Sequence, residues 1–338
     1  MKKETVPQTG RHRLRWAGWL IGVPVLAAVT GWEALAVFHS NLPEGLRPWA
    51  AGIVLLVNLF ILLRVRPPSR SVALFGVVFV ALAGWWLTIP PSNHRDWQPD
   101  VAKLPWAQID GDLVTLHDIR HCDYRSETDY TVRHYDKTYD LKKLQSVDLF
   151  LVYWGSPAIA HTMFSFGFEW GDYVCFSIET RKRKGQAYSA LKGFFKQYEL
   201  TYVVGDERDL VGLRTNYRNE DVYLYRLKAP ADMIRTVFLD YLRTVNRLKD
   251  DPEWYNALTS NCTTNIRGHT RPYNPKASWD WRILVNGYVD EMAHEQGVLD
   301  QTLPFAELKL NSHINARARS GEIDAHFSRR IREGLPGI

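Results

Sequence analysis

Apolar residues are spread unevenly along the 338-residue chain. Near the amino terminus they form runs with no polar face. Trp16–Phe38 carries one charge, Glu33, and Val72–Ile89 carries none. Between them Arg47 and Arg64 bracket the run Pro48–Leu63. A helix crosses the hydrocarbon core in about 20 residues. The first and third runs reach that length, and the second reaches it when Leu46 and a snorkelling Arg47 are counted. Helices buried in a soluble core would keep a polar stripe, and these runs have none. The first run is also longer than a signal-peptide core, and no small-x-small cleavage site follows it. The pattern therefore predicts a membrane anchor of three transmembrane helices over residues 1–90.

After Pro90 the pattern changes. Pro90-Pro91, Ser92, Asn93 and Gln98-Pro99 read as a linker over 91–100. Beyond it, short runs of β-branched and aromatic residues predict strands at Asp112–Ile119, Thr131–Tyr135, Val147–Trp154, Tyr202–Val204 and Val222–Leu227. His161–Phe168 and Tyr173–Thr180 flank Glu169-Trp170-Gly171-Asp172 and predict a hairpin. Met233, Ile234, Val237, Phe238, Tyr241, Leu242, Val245 and Leu248 recur at helical spacing, so Ala231–Leu248 is expected to be an amphipathic helix entered through Pro230. A weaker helical pattern covers Trp281–His294. There is no internal repeat. Strands with separate helices point to an α+β domain over 101–338 rather than a doubly wound sheet.

Composition narrows the class. At 46% hydrophobic and 13% aromatic the chain is no disordered polymer, and three cysteines exclude a disulfide-stapled mini-protein. The net charge of +5 invites a nucleic-acid reading. Its distribution removes it. Residues 1–99 hold ten Lys and Arg against four acidic residues, and the remainder holds 32 against 33. The excess sits beside the apolar runs: Lys2, Lys3, Arg11, Arg13 and Arg15 before the first, and Arg64, Arg66 and Arg70 between the second and third. By the positive-inside rule both segments are cytoplasmic, and everything after Pro90 lies outside. Trp49 and Trp85-Trp86 then fall at the outer interface. Glu33 reads as a snorkelling or paired charge rather than a proton relay. Membrane lipids are the expected partners, and nucleic acid is not.

Candidate chemistry lies in the outer domain. Cys122, Cys175 and Cys262 form no C-x-x-C pair, which leaves a zinc cluster unsupported. A disulfide between two of them is open, with no choice of pair. Cys262 is set in Thr259-Ser260-Asn261-Cys262-Thr263-Thr264-Asn265. Ser260 or Asn261 is suited to cap a helix that Gly268 could end, which places Cys262 in the first turn. There the orphan N–H groups favour a thiolate and can hold an oxyanion. The plainer alternative is a buried apolar cysteine. His161 opens the hairpin, and Glu179 lies on its second strand. A hairpin centred on Trp170 sets 161 opposite 179 on one face, where Glu179 could orient the imidazole. A loop one residue different pairs His161 with Thr180 instead, leaving a strand histidine bonded to backbone and a solvated glutamate. Arg181-Lys182-Arg183-Lys184 is either a solvated face or a contact for anionic headgroups. Arg181 and Lys182, with Asn261 beside the cysteine, are the candidate substrate contacts. His117, His121 and His134 lack metal spacing, and neither a metal nor a cofactor is expected. Trp279, Asp280 and Trp281 read as core or as a lipid-facing patch.

Several strings, in order, resemble a known family. They are His161-Thr162-Met163-Phe164-Ser165-Phe166-Gly167-Phe168, Ser177-Ile178-Glu179-Thr180-Arg181-Lys182, Tyr198-Glu199-Leu200-Thr201-Tyr202-Val203-Val204, Leu213-Arg214-Thr215-Asn216-Tyr217-Arg218 and Trp254 through Asn265. Together they are similar to the Lnb N-terminal periplasmic domain family of bacteria, over roughly residues 100–338. The resemblance implies a permuted papain-like, NlpC-type fold with an antiparallel sheet, in which the histidine strand precedes the cysteine helix. It implies a Cys/His pair at Cys262 and His161, with Glu179 as a third polar residue. It further implies a lipoprotein N-acyltransferase of the inner membrane, moving an acyl chain through a thioester to a lipoprotein amine. This chain departs from the family's named member in carrying its spans before the domain, with none seen after it. The same pair could serve a cell-envelope hydrolase (amidase, peptidase or lipase), and the same fold a non-enzymatic membrane-binding module.

Overall fold

The computed structural model describes residues 9–273 and 279–338, with side chains from residue 22 onward. Contacts divide the chain into two units, Met1–Pro90 with Phe195–Gln197, and Pro91–Phe194 with Tyr198–Ile338.

The first unit contains helices α1 (Thr9–Phe38), α2 (Arg47–Arg64) and α3 (Pro68–Leu87). Among the described residues, α2 and α3 are long and apolar enough to cross a membrane, and the apolar part of α1, Gly22–Phe38, is shorter. Among the described residues two candidate helices therefore meet the test where three spans are expected from the sequence. The start of the first expected span and its basic flank lie outside the described side chains. Glu33 and Asn58 are fully buried, and the Asn58 amide donates to the Glu33 carboxylate. This is the paired arrangement that burying a carboxyl group demands.

The second unit is α+β. Eight strands form one sheet: β1 (Trp106–Asp110), β2 (Leu113–Tyr124), β3 (Tyr130–Asp140), β4 (Leu144–Tyr153), β5 (Ala160–Phe168), β6 (Asp172–Arg181), β7 (Glu199–Gly205) and β8 (Asp221–Arg226). Their order is β1-β2-β7-β6-β5-β4-β8, with β3 on β2. The sheet is mixed rather than antiparallel, because β2 meets β7 in parallel at Arg120 and Gly205. Strand β1 has no sequence signal strong enough to predict it, since three of its five residues are exposed. Helices α4 (Ala190–Gly193), α5 (Glu207–Gly212), α6 (Ala231–Asp250), α7 (Cys262–Thr270), α8 (Val289–Glu295), α9 (Phe305–Asn311), α10 (Asn315–Arg319) and α11 (Phe327–Arg330) complete the unit.

Strand β5 is buried along its whole length, as a near-continuous apolar run predicts for a strand covered on both faces. Its even residues, Phe164 and Phe166, pack with Phe176 and with Phe238 and Tyr241 of α6. Its odd residue Met163 shares the opposite core with Cys175, Phe327 and Ile331. The β5–β6 hairpin closes through Glu169–Gly171, where Trp170 and Gly171 take φ of 69° and 72°. That backbone is free for Gly171 and costs energy at Trp170. Every pair from Met163↔Ser177 to Phe168↔Asp172 is centred on residue 170, which is the register that aligns 161 with 179.

The carboxy-terminal pattern differs from expectation. Trp281–His294 is not one helix but two short 3-10 turns, Trp281–Ile283 and Asn286–Tyr288, followed by α8. The break sits at Leu284-Val285, and Gly287 follows it within the second turn. A Cβ at Gly287 would run into the backbone of Pro157 and Ala158, so only glycine lets the two segments meet. Gly268 does not end α7, which runs on to Thr270.

Candidate active site

Cys262 is the first residue of α7, and Asn261 caps it. The Asn261 side chain accepts from the Thr264 N–H (2.9 Å), and the Thr264 hydroxyl accepts from the Asn261 N–H (2.8 Å). This reciprocal capping box fixes the helix start, and with it the thiol. Asn261 Nδ2 also donates to the Ala257 carbonyl (2.9 Å). The side chain proposed from the sequence as a substrate contact is thereby committed to the cap.

His161 begins β5 beside the end of β6. Its Nε2 lies 2.7 Å from Ser177 Oγ and 3.3 Å from Glu179 Oε1. Ser177 Oγ in turn donates to Glu179 Oε1 (2.7 Å). Arg214 Nη2 donates to the same carboxylate oxygen (2.9 Å), while its Nη1 donates to Glu220 (3.1 Å). With Nε2 held by this group, Nδ1 is the nitrogen left for the thiol. Period-two geometry brings His161, Ser177 and Glu179 to one face, as the hairpin register requires.

The charges couple. Burial pushes the Cys262 thiol up, but the His161 imidazolium and its hydrogen bond, aided by Thr162, outweigh it and pull the thiol down to about 6. Burial likewise works against a charged His161, yet the Glu179 carboxylate and the bond with Cys262 raise it to about 9. Glu179 is held well below the carboxylate range despite burial, by His161 first and then by Arg214 and Ser177. Near neutrality the pair is a thiolate and an imidazolium.

Asn286, which nothing in the sequence singles out, completes the site. Its Oδ1 accepts from the Ala160 N–H (2.9 Å), and that bond fixes which way the amide faces. Nδ2 must then point at α7, where it donates to Thr263 Oγ1 (2.7 Å) and lies 3.9 Å from Cys262 Sγ. The turn carrying it is bonded to the loop before His161, through Gly287 N–H to Ala158 (3.0 Å) and Tyr153 O–H to the Gly287 carbonyl (2.6 Å). Asn286-Gly287 is a turn dipeptide, and that was the one readable hint of a break here.

A cavity of about 300 Å³ lies against α7 and β5, with neither Cys262 nor His161 among the residues that line it. Thr162 and Thr263, the chain neighbours of His161 and Cys262, line it together with Leu149, Phe164, Met233 and Ile266. Its walls come from β4, β5, α6, α7 and α8.

Other candidates from the sequence resolve differently. Arg181 is buried and bound within the protein: Nε donates to the Val101 carbonyl (2.9 Å), Nη1 to Asn93 (2.8 Å) and Nη2 to the Ala102 carbonyl (2.8 Å), with Trp97 stacked 4.2 Å away. Its donors are spent on residues 93–102. Lys182 is half-buried, and among the described residues no hydrogen bond or ion pair joins it to Cys262, His161 or Glu179. All three cysteines are free thiols, so the disulfide left open by the sequence is not formed. His117 bonds Asp136 (2.7 Å) and stacks on Trp106. Among the described residues no cluster of His, Cys, Asp or Glu is arranged to hold a metal. Trp279 and Trp281 are exposed rather than core, and Asp280 between them is paired with Arg282 (2.8 Å).

Residues 130–287 match the family described as the Lnb N-terminal periplasmic domain. The match is narrower than the span of similar strings, and it holds His161, Ser177, Glu179, Arg214, Cys262 and Asn286. No curated protein and no solved structure matches the chain. This segment is thus similar to that family, as its strings implied.

Proposed function

We propose that this chain is a membrane-anchored thiol acyltransferase of the bacterial inner membrane, with its amino terminus in the cytoplasm and the domain after Pro90 in the periplasm. The observation that carries the reading is the coupled pair of Cys262 and His161, whose chain neighbours Thr263 and Thr162 line an apolar cavity. A thiolate poised near neutrality is a nucleophile, and a mainly apolar slot lined by its chain neighbour Thr263 suits an acyl chain. The order of elements, histidine strand before cysteine helix, supports a permuted papain-like arrangement.

In this reading Cys262 Sγ attacks the carbonyl carbon of an acyl ester held with its tail in the cavity. The carbonyl π pair moves to oxygen, where Asn286 Nδ2 and the free N–H groups at the start of α7 donate to it. Collapse breaks the ester bond, and the departing alkoxide takes the proton from His161. Neutral His161, turned by Ser177 and Glu179, then removes a proton from the incoming amine, which attacks the thioester and releases Cys262. Membrane lipid is the donor, and the amino terminus of a lipoprotein is the acceptor. No cofactor enters these steps.

Purified chain in phospholipid vesicles, with and without a peptide bearing a free amino-terminal amine, tests the assignment. Acyl-peptide formed by wild type and not by Cys262→Ala supports transfer. Fatty acid released equally with and without peptide assigns the pair to hydrolysis instead. A phenotype or lipid pattern indifferent to Cys262→Ala would leave only a binding role.

A further inference from the structure

We infer that the end of the sheet bearing Cys262 and His161 is a docking face for an anionic lipid bilayer. The end pairs Tyr153↔Ala160 and Arg181↔Glu199 lie together, because the β5–β6 hairpin sets the start of β5 beside the end of β6. The loops leaving this end are 154–159 and 182–194. Two further segments join them: 254–261 through Ala257 N–H to the Gly193 carbonyl (3.2 Å), and 279–285 through Asn286 to Ala160 (2.9 Å).

Every one of these segments exposes large apolar side chains. Trp154 and Ile159, Leu191, Leu258, and Trp279 and Trp281 stand out, with Trp279 65% and Ile159 52% exposed. Single exposed apolar residues need no explanation, but a set converging from four loops does. The opposite end of the hairpin offers the contrast of one isolated aromatic, Trp170, 93% exposed.

Charge decides what covers the face. The four segments contain Lys182, Arg183, Lys184, Lys192 and Arg282 against one acidic residue, Asp280; Arg282 pairs with Asp280 and Glu295, and Lys184 pairs with Asp96. The whole chain is nearly balanced, with 42 basic and 37 acidic residues. Tryptophan with lysine and arginine is the composition that settles at a headgroup layer, where the ring is half solvated and the cation meets phosphate. The chain supplies the setting, since Pro91 follows Leu87, the end of a helix able to cross a bilayer, by four residues. A lipid seated here would be held at the end of the sheet that bears Cys262. The surface argument does not depend on that chemistry.

The test uses the full chain carrying Cys262→Ala, so that catalysis plays no part; Cys122 and Cys175 are buried and spared by thiol labels. Trp279→Cys, Leu258→Cys, Ile159→Cys and, as the distal control, Trp170→Cys are each labelled with an environment-sensitive dye. Each is reconstituted in equimolar phosphatidylcholine–phosphatidylglycerol vesicles containing a spin-labelled lipid quencher. Loss of fluorescence at 279, 258 and 159, with none at 170, is the expected result. Lys182→Glu with Lys192→Glu should restore the signal at those three positions. Equal quenching at all four positions, or none at the first three, overturns the inference. So does a label at 279 that is shielded from water yet untouched by lipid quencher, which would mark a protein partner. Quenching indifferent to the charge reversal overturns the anionic-lipid assignment. None of these outcomes bears on whether Cys262 is a nucleophile.

Discussion

Replacing His161 by alanine removes what holds the Cys262 thiol near 6, and the consequence can be worked through. The ordinary thiol value is 9.0, so the lowering spans about three units, or about 4 kcal/mol of preference for the thiolate. Burial opposes it, so without the imidazolium the thiol should titrate at or above its ordinary value. At pH 7 the thiolate fraction then falls from about nine-tenths to about one-hundredth or less. The rate of attack on a disulfide probe does not fall as far, because a more basic thiolate is a better nucleophile. With a Brønsted slope of about 0.4–0.5, three units return about 15- to 30-fold, leaving a net loss of only about three- to sixfold. A single rate at neutral pH would therefore understate the change. The informative assay is the full pH profile of the reaction of Cys262 with a dipyridyl disulfide. The wild-type midpoint should lie near 6, and that of His161→Ala should rise by about three units or more. Superimposable profiles, or a wild-type midpoint near the ordinary thiol value, would refute the coupling on which the reading stands.

Further outcomes follow from the same geometry. Acyl transfer should depend on pH as a bell, rising as Cys262 deprotonates near 6 and falling as His161 loses its proton near 9. Glu179→Gln removes the charge that raises His161, so the alkaline limb should move to lower pH; a limb that stays put would detach Glu179 from the imidazole. Asn286→Ala should lower the rate of transfer by about 10²–10³ while the thiol profile keeps a low midpoint, as expected for a lost oxyanion donor; unchanged rates would make Asn286 a fold element only. Arg181→Ala strands the Val101 and Ala102 carbonyls and should cost about 1–3 kcal/mol in denaturant unfolding. A stable variant with a raised KM would return Arg181 to the substrate. Ile266→Trp should fill the cavity and favour short-chain over long-chain acyl donors, a shift read by competition between two lipids.

The parts of this site that depend on local rules were legible in the sequence. The Asn261 cap needs only the chain next to it, and so Cys262 falls at a helix start as the Ser-Asn-Cys-Thr-Thr order predicts. The 161–179 alignment needs only the turn length, and the observed centre at Trp170 fixes it. What escaped depends on contacts distant in sequence. Asn286 is defined by Ala160 and Thr263, 126 and 23 residues away, and no pattern links them. Arg214 reaches Glu179 from a π-helical turn, Leu213–Tyr217, whose string was recognisable but whose partner, 35 residues away, was not. Arg181 misled because a basic run looks solvated, while its strand position turns this one residue inward beneath Trp97. The apolar pattern at 281–294 suggested one helix because periodicity does not register the close approach that Gly287 permits. The parallel contact of β2 with β7 likewise joins Arg120 to Gly205, 85 residues away, and the two are brought together only by the whole sheet.

The central claim is that Cys262 carries an acyl group. Reconstituted chain, quenched in acid before any amine is added and digested, should yield a Cys262 peptide heavier by one acyl chain and released by hydroxylamine, with no such adduct in His161→Ala. A Cys262 peptide that stays unmodified in wild type across phospholipid donors, while its thiol reacts freely with small probes, would contradict the account.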